Sequence, residues 1–426
     1  MTKYINQKPN DEVVQDFADY VSPGKVAIYK QLGFGSVPGK REGIYLWDLD
    51  GKRYINCRSS GGVFNLGHRP PRIINALQEA LTELDIGDHI LMSEHRARLA
   101  KRLAEITPGD IRYTFFAPGG GEAVDVAIKL ARGFTKRPNI ISAQYGYHGH
   151  TGFALAAGDP SFSKHFGPLM PGFYQVPFGD IEAMERAVTD ETAAVILETI
   201  QATAGMIIPP DDYLPAVREI CNRKGAVLIL DEVQAGLGRT GKIWGCEHWQ
   251  VVPDILVSGK GMSSAVYPLA VCCFRPHLDK FFQENPFVHL CSFGGSDLAC
   301  ITSLAMLDQI TEEGFLAHVN EMGSKFAAGF EKLKAKYPQL VAGYRQLGLM
   351  MALELTDDRL GGMMTLALGK SGILGIFSDF RQRAIQVLPP LIITAEQVDE
   401  VLAGFDQALS LLGQMLASGM DAPYIP

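Results

Sequence analysis

No run of 18 apolar residues occurs in this 426-residue chain; the longest candidate, residues 255–274, is interrupted by Lys260. No simple transmembrane helix is therefore expected. The seven cysteines include no C-x-x-C pair, and the adjacent Cys272 and Cys273 would point apart, so neither a zinc ribbon nor a disulfide framework is expected, and a reducing compartment is. No basic run is present: 39 Lys and Arg stand against 47 Asp and Glu, a net charge of −8, which speaks against a nucleic-acid footprint. The opening MTKYINQKPNDEVVQDF lacks the apolar core of a secretory leader. There is no internal repeat and no low-complexity tract. Taken together, these absences predict a cytoplasmic protein without a nucleic-acid or membrane partner.

What is present is a large core and many glycines. Apolar residues make up 47% of the chain, and its 45 glycines are clustered, as loops that need close backbone approach would require. The length suggests two or three folding units. Residues 11–20 read as a polar helix, and IYLWDLDGKRYINC places an Asp-Gly turn between two β-prone runs. From about 110 to 310, strand-like runs (111–116, 139–143, 173–176, 193–197, 226–230, 255–257 and 269–274) alternate with helical ones, notably 122–134 and 212–223. Uniformly apolar strands alternating with helices predict an α/β fold with a mostly parallel sheet covered on both faces. Beyond 315, a long helix (315–337), a strand (349–355), a Gly-rich loop and a last helix (395–417) predict a smaller α+β lobe built with the N-terminal segment.

Two short patterns are decoys. Gly236-Leu-Gly238-Arg-Thr-Gly241 matches a dinucleotide fingerprint, and with Lys242 nearly a P-loop. Such a loop must open a helix whose N-terminus holds phosphate, whereas KIWGCEHWQVVPD is broken by Gly245 and closed by Pro253. The histidines of Tyr147-His148-Gly149-His150 offer two metal ligands and no third nearby; a loop histidine held by a hydrogen bond is the better reading.

The chemistry is carried elsewhere. Ala226-Val-Leu-Ile-Leu-Asp231 delivers an acid at the carboxyl end of an apolar strand, where open α/β sheets bind ligands. A second strand, ending at Ser258, leads into Gly259-Lys260-Gly261, which places a lysine in a cleft as a nucleophile. Pro118-Gly119-Gly120-Gly121-Glu122 runs into a helix and forms an anion cradle of backbone N–H groups. Ser292-Phe293-Gly294-Gly295 adds a hydroxyl, and Tyr147 an aromatic face. Lysine, buried acid, phosphate cradle and aromatic are the parts that pyridoxal 5′-phosphate requires.

At this point the sequence resembles the class III, fold type I pyridoxal-phosphate aminotransferases, most closely the putrescine and ornithine group. The motifs are GGGEAVDVAIKLAR, YHGH, ILETIQ, LILDEVQAGLGRTGKIW, DILVSGKG, SFGGSDLA and QLGLMMALEL, spread over about residues 40–415. The resemblance implies that Lys260 forms the Schiff base and shuttles the proton, and that Asp231 holds the pyridinium nitrogen. It further implies Val233 and Tyr147 on the two ring faces, Gln234 at the phenolic oxygen, Glu198 in the cofactor pocket, and Gly120 and Gly121 at the phosphate. Ser292 would reach the phosphate from a neighbouring subunit, which implies a homodimer with shared sites. The implied fold is a large sheet domain over 66–319, with a small domain from 1–65 and 320–426. The GLGRTG run belongs to this family pattern.

Departures bear on the substrate. The phosphate loop, usually Ser-Gly-Ser/Thr, is Gly119-Gly120-Gly121, so two hydroxyls are missing. The Q-G-x-G-G pattern has become QATAG over 201–205. Gln386 stands where relatives carry an arginine that grips the α-carboxylate of glutamate and pairs with the acid matching Glu198. Gly61 replaces a frequent aromatic, and Arg58 lies close by in sequence. A donor with a second positive group (a diamine or basic amino acid) and a 2-oxo acid acceptor shifted from 2-oxoglutarate toward pyruvate are expected. An amino-acid racemase or epimerase of the same fold has the same parts and is the alternative.

Overall fold

The computed structural model describes residues 8–419; residues 1–7 of the N-terminal stretch and 420–426 lie outside the described residues. The chain divides into two compact units, one from both chain ends (up to Pro70 and from Val319) and one from Pro71–His318. In the first, strands β1 (Pro38–Glu42), β2 (Tyr45–Asp48) and β3 (Arg53–Asn56) form an antiparallel meander, with Tyr45 opposite Ile55 and Trp47 opposite Arg53. The Asp-Gly turn joins β2 to β3. Asp48 Oδ1 accepts from the N–H of Asp50 (3.1 Å) and Lys52 (2.8 Å), and Gly51 takes the left-handed conformation at φ +87°.

The second unit holds strands β4 (Tyr113–Ala117), β5 (Asn139–Ala143), β6 (Phe173–Val176), β7 (Thr192–Glu198), β8 (Val227–Asp231), β9 (Ile255–Ser258) and β10 (Ala270–Phe274). They pair in the order β4-β10-β9-β8-β7-β5-β6. β10 runs antiparallel to both its neighbours, while β9, β8, β7, β5 and β6 are mutually parallel. Every residue of β7, β8, β9 and β10 is buried, because helices cover both faces. One of these helices, Gly120–Thr135, lays Val124, Ala127, Ile128 and Ala131 on the sheet. Val124 and Ile128 each contribute about 1.5–3 kcal/mol by leaving water. The register sets Glu198 beside Asp231, and Asp231 beside Val257. Two acids and the Lys260 turn thus leave the sheet at the same carboxyl edge.

Returning to the first unit, β11 (Val341–Leu347), β12 (Met350–Leu355), β14 (Ile376–Ser378) and β15 (Arg381–Val387) form a sheet ordered β11-β12-β15-β14, while the short β13 (Ile373–Leu374) adds to β3 in parallel. The Gly-rich stretch expected as a loop is instead a buried helix, Leu360–Lys370. Glycine disfavours helix by about 1 kcal/mol per residue, but a Cβ on Gly361 would collide with the Gln382 carbonyl. Close packing on β15 requires the glycine, and the buried Met363, Met364 and Leu368 outweigh its cost. Among the described residues, no helix is long and apolar enough to cross a membrane.

Candidate active site

At the carboxyl edge of the large sheet, one cavity of about 120 Å³ is lined by Gly120, Gly121, Tyr147, Glu198, Asp231, Val233, Gln234 and Lys260. These eight were singled out from the sequence; His148, Gly149, Ile200 and Ala235 complete the lining and were not assigned to the site. A larger cavity of about 600 Å³ lies within the chain-end unit, between apolar residues such as Val13, Phe17 and Tyr29, with Arg58 on its wall. Its lining holds no lysine and no cysteine, and the residues singled out for cofactor chemistry gather instead at the smaller one.

Each side chain reaches the small cavity for a local reason. β8 ends at Asp231, whose Oδ1 accepts from the Val233 N–H at 3.0 Å, a bond that turns the chain and brings Val233 and Gln234 round to the same cavity. The next residue, Glu232, points away and is fully buried. It accepts from Thr199 Oγ1 (2.6 Å) and the N–H groups of Gly245 (2.8 Å) and Cys246 (2.7 Å), pinning the loop that follows. Gly236–Gly241 leads into a single 3₁₀ turn, Gly245–Trp249, not an α-helix. Lys260 follows β9 at φ +43°, an uncommon conformation for a non-glycine residue that functional positions often hold. Its Nζ lies 5.9 Å from the centroid of the Tyr147 ring.

The glycine cradle opens the 16-residue helix Gly120–Thr135, whose first N–H groups lack intrahelical partners and carry the positive end of the dipole. A Cβ on Gly120 would touch Val233 at 3.4 Å. One on Gly149, at φ +126°, would lie 2.7 Å from the Gly121 Cα, so only glycine lets that loop approach the cradle.

Electrostatics set the floor of the cavity. His148 Nδ1 donates to Asp231 Oδ2 at 2.8 Å, both side chains being buried. Burial works against charging His148, but the Asp231 hydrogen bond and the charges of Asp231 and Glu198 outweigh it and raise its pKa. Burial, with Asp231 adding repulsion, pushes the Glu198 carboxyl up to about 7, although His148 and the N–H groups of Tyr147 (3.0 Å) and Ala202 (3.3 Å) oppose this. Gln234 Oε1 is buried without a hydrogen-bond partner among the described residues.

The other residues singled out lie elsewhere. Ser292 is exposed and outside the cavity lining. In the chain-end unit, Gly61 has φ +68°, and Gln386 Nε2 donates to Ser378 Oγ at 3.2 Å. Arg58 eases the charging of Asp379, whose pKa burial raises. His148, which the sequence marks as a hydrogen-bonded loop histidine, is held so by Asp231; its adjacency to Tyr147 is the only local signal that it lines the cavity.

The class-III aminotransferase family profile matches residues 31–409. The chain is a class-III aminotransferase. It is 48% identical over 411 residues to an aminotransferase from Archaeoglobus fulgidus, covering 96% of this chain and 97% of that one. It is 38% identical over 408 residues to a putrescine aminotransferase from Pectobacterium atrosepticum, covering 92% and 87%. The structure superposes on a taurine:2-oxoglutarate aminotransferase from Bifidobacterium kashiwanohense, in complex with pyridoxal phosphate and glutamate. The TM-score is 0.87 at 28% identity, covering 96% and 99%. The cofactor of this aminotransferase is pyridoxal 5′-phosphate. The residues present suit it: a lysine and an acid at one sheet edge, a glycine cradle that side chains would fill, and a buried Gln234 amide oxygen awaiting a polar neighbour.

Proposed function

We propose that this aminotransferase moves the primary, terminal amino group of a diamine or basic amino acid to a 2-oxo acid, with Lys260 and Asp231 as its catalytic residues. The observation that carries the reading is the convergence of Lys260, Asp231 and Glu198 on one cavity beside the glycine cradle. Lys260 anchors the cofactor covalently and, through Nζ, takes the proton from the carbon bearing the donor's amino group and later delivers one. Asp231, backed by His148, holds a proton on the ring nitrogen. When bound, pyridoxal phosphate supplies the electron sink for the charge left at that carbon. Gly120 and Gly121 grip the phosphate with backbone N–H groups, Tyr147 and Val233 flank the ring, and Gln234 meets its phenolic oxygen. Glu198, a carboxyl buried in the cavity wall, favours a donor whose distal end is an ammonium. Gly61, in place of a frequent aromatic, leaves room for a longer donor, while Gln386 in place of an arginine favours an acceptor such as pyruvate over 2-oxoglutarate, with Arg58 recovering some carboxylate binding.

The same reading makes the protein a homodimer with shared sites. In support, the exposed Ser292 sits among Phe287, Val288, Leu290 and Phe293, all more than half exposed; such a stretch marks an association surface. Seven free cysteines support a cytoplasmic location.

The test is a donor–acceptor panel with borohydride labelling of the holoenzyme. Label on Lys260 and transfer from putrescine or ornithine to pyruvate would support the reading. Label on another lysine would overturn the assignment of Lys260, and inversion of a chiral amino acid without net transfer would favour an isomerase.

A further inference from the structure

Thr151 begins the short helix Gly152–Ala157, at the position where a threonine hydroxyl normally accepts a backbone N–H of the first turn. Here it makes no such bond. The N–H it would take, that of Ala154, is held instead by Asp125 Oδ1 from the neighbouring helix, at 2.8 Å. The hydroxyl is thereby relieved of its local task. It sits beside the glycine cradle: a Cβ on Gly121 would lie 2.9 Å from Thr151 Oγ1. The approach is possible because position 149 is glycine, its backbone lying against the Gly121 Cα. Thr151 is solvent-exposed.

A side chain at 121 and the Thr151 hydroxyl therefore compete for one volume. In this chain position 121 has no side chain and the hydroxyl takes the space. We propose that Thr151 Oγ1 donates to the cofactor phosphate the side-chain hydrogen bond that the triglycine loop lacks. The proposal rests on the assignment of the cavity above as the cofactor site. Oγ1 is both donor and acceptor, and a hydroxyl donating to a phosphate dianion makes a charge-assisted bond, stronger than a neutral one. Restoring a serine at 121 alone brings little, since its Cβ would press on Thr151.

The test titrates apo-protein with pyridoxal 5′-phosphate and, in parallel, with pyridoxal, which has the same aldehyde but no phosphate. Thr151→Val is expected to weaken pyridoxal phosphate binding about tenfold or more. It should leave pyridoxal within about twofold, and Thr151→Ser should behave as wild type. Thr151→Ala should lose the same affinity and Thr151→Ala/Gly121→Ser recover it, a comparison that decides alone if the valine disturbs folding. Unchanged phosphate-ester binding in Thr151→Val, equal losses for both ligands, or no recovery in the double variant each overturn the proposal. A wild-type protein that gains no visible band, or one that gains a band independent of Lys260, instead overturns the site assignment and the proposal with it.

Discussion

His148 Nδ1 and Asp231 Oδ2 stand 2.8 Å apart at the end of β8, with His148 and Asp231 both almost wholly withdrawn from solvent. A lone carboxylate there would be costly to keep charged. The histidine behind it, with its pKa raised by the partnership, sets a donor that can carry positive charge directly against that carboxylate. The pair is an electrostatic element built before any ligand arrives, the arrangement that contributes most to rate when charge develops in the reaction.

Asp231→Asn is accordingly expected to reduce kcat by about 10²–10³ while changing KM little. His148→Gln, which keeps a donor but no positive charge, should fall between wild type and Asp231→Asn. The measurement is single-turnover kinetics with an α-deuterated donor. A loss under about threefold for Asp231→Asn would identify the wrong acid.

The strands that frame this site were legible because buried parallel strands are continuous apolar runs: Val227–Leu230 and Ile255–Val257 admit little else. Lys260 was legible for the opposite reason, a charge between glycines directly after such a run. The His148–Asp231 contact was not, since 83 residues separate the partners and nothing local marks it. Nor was the helix at Leu360–Lys370, where the deciding contact is the Gln382 carbonyl lying where a Gly361 side chain would be. The direction of β10 was equally hidden, because Val271–Cys273 is apolar whichever way it runs.

His68 gives the protein an acid-sensitive contact. It is buried, with its Nε2 accepting from Asn56 Nδ2 at 3.0 Å, and burial, then the Arg41 charge, lowers its pKa to about 4. The unfolded chain binds this proton at about 6.5, so between pH 6.5 and 4 the unfolded state holds more protons and folding stability falls as pH falls. The contribution is roughly 3 kcal/mol by pH 4. His68→Gln should show a shallower acid limb than wild type in denaturant titrations at pH 7, 5.5 and 4.5. Parallel limbs would remove His68 from the account.

Glu198 is expected to select the donor. With its pKa at about 7, the carboxyl is largely neutral at pH 6 and largely ionised at pH 8. Preference for a diamine over a monoamine of equal length, as the ratio of kcat/KM, should therefore rise between those values. Glu198→Gln should lower that ratio about tenfold at pH 8, the scale of one charge-assisted hydrogen bond, and flatten its pH dependence. Comparing two donors cancels the ionisation of the reacting amine. A ratio indifferent to both pH and substitution would mean that the distal ammonium does not reach Glu198.

Gln386 is expected to set the acceptor. A planar guanidinium binds a carboxylate with two parallel hydrogen bonds and a full charge, whereas a primary amide offers one neutral donor pair. The family resemblance implies an arginine at this position as the grip for glutamate; here the amide at 386 donates to Ser378 Oγ at 3.2 Å. A dicarboxylate acceptor has two carboxylates to place and pyruvate one, so an amide in place of a guanidinium is expected to leave the dicarboxylate one charged grip short. Gln386→Arg should therefore raise kcat/KM for 2-oxoglutarate about tenfold relative to pyruvate, the value of one charge-assisted pair. The measurement is kcat/KM for both acceptors in wild type and variant with one fixed donor, so that changes in the donor half-reaction cancel. If wild type already prefers 2-oxoglutarate about tenfold and the arginine does not improve it, another group holds the acceptor, and Arg58→Ala measured in the same way tests whether that group is Arg58.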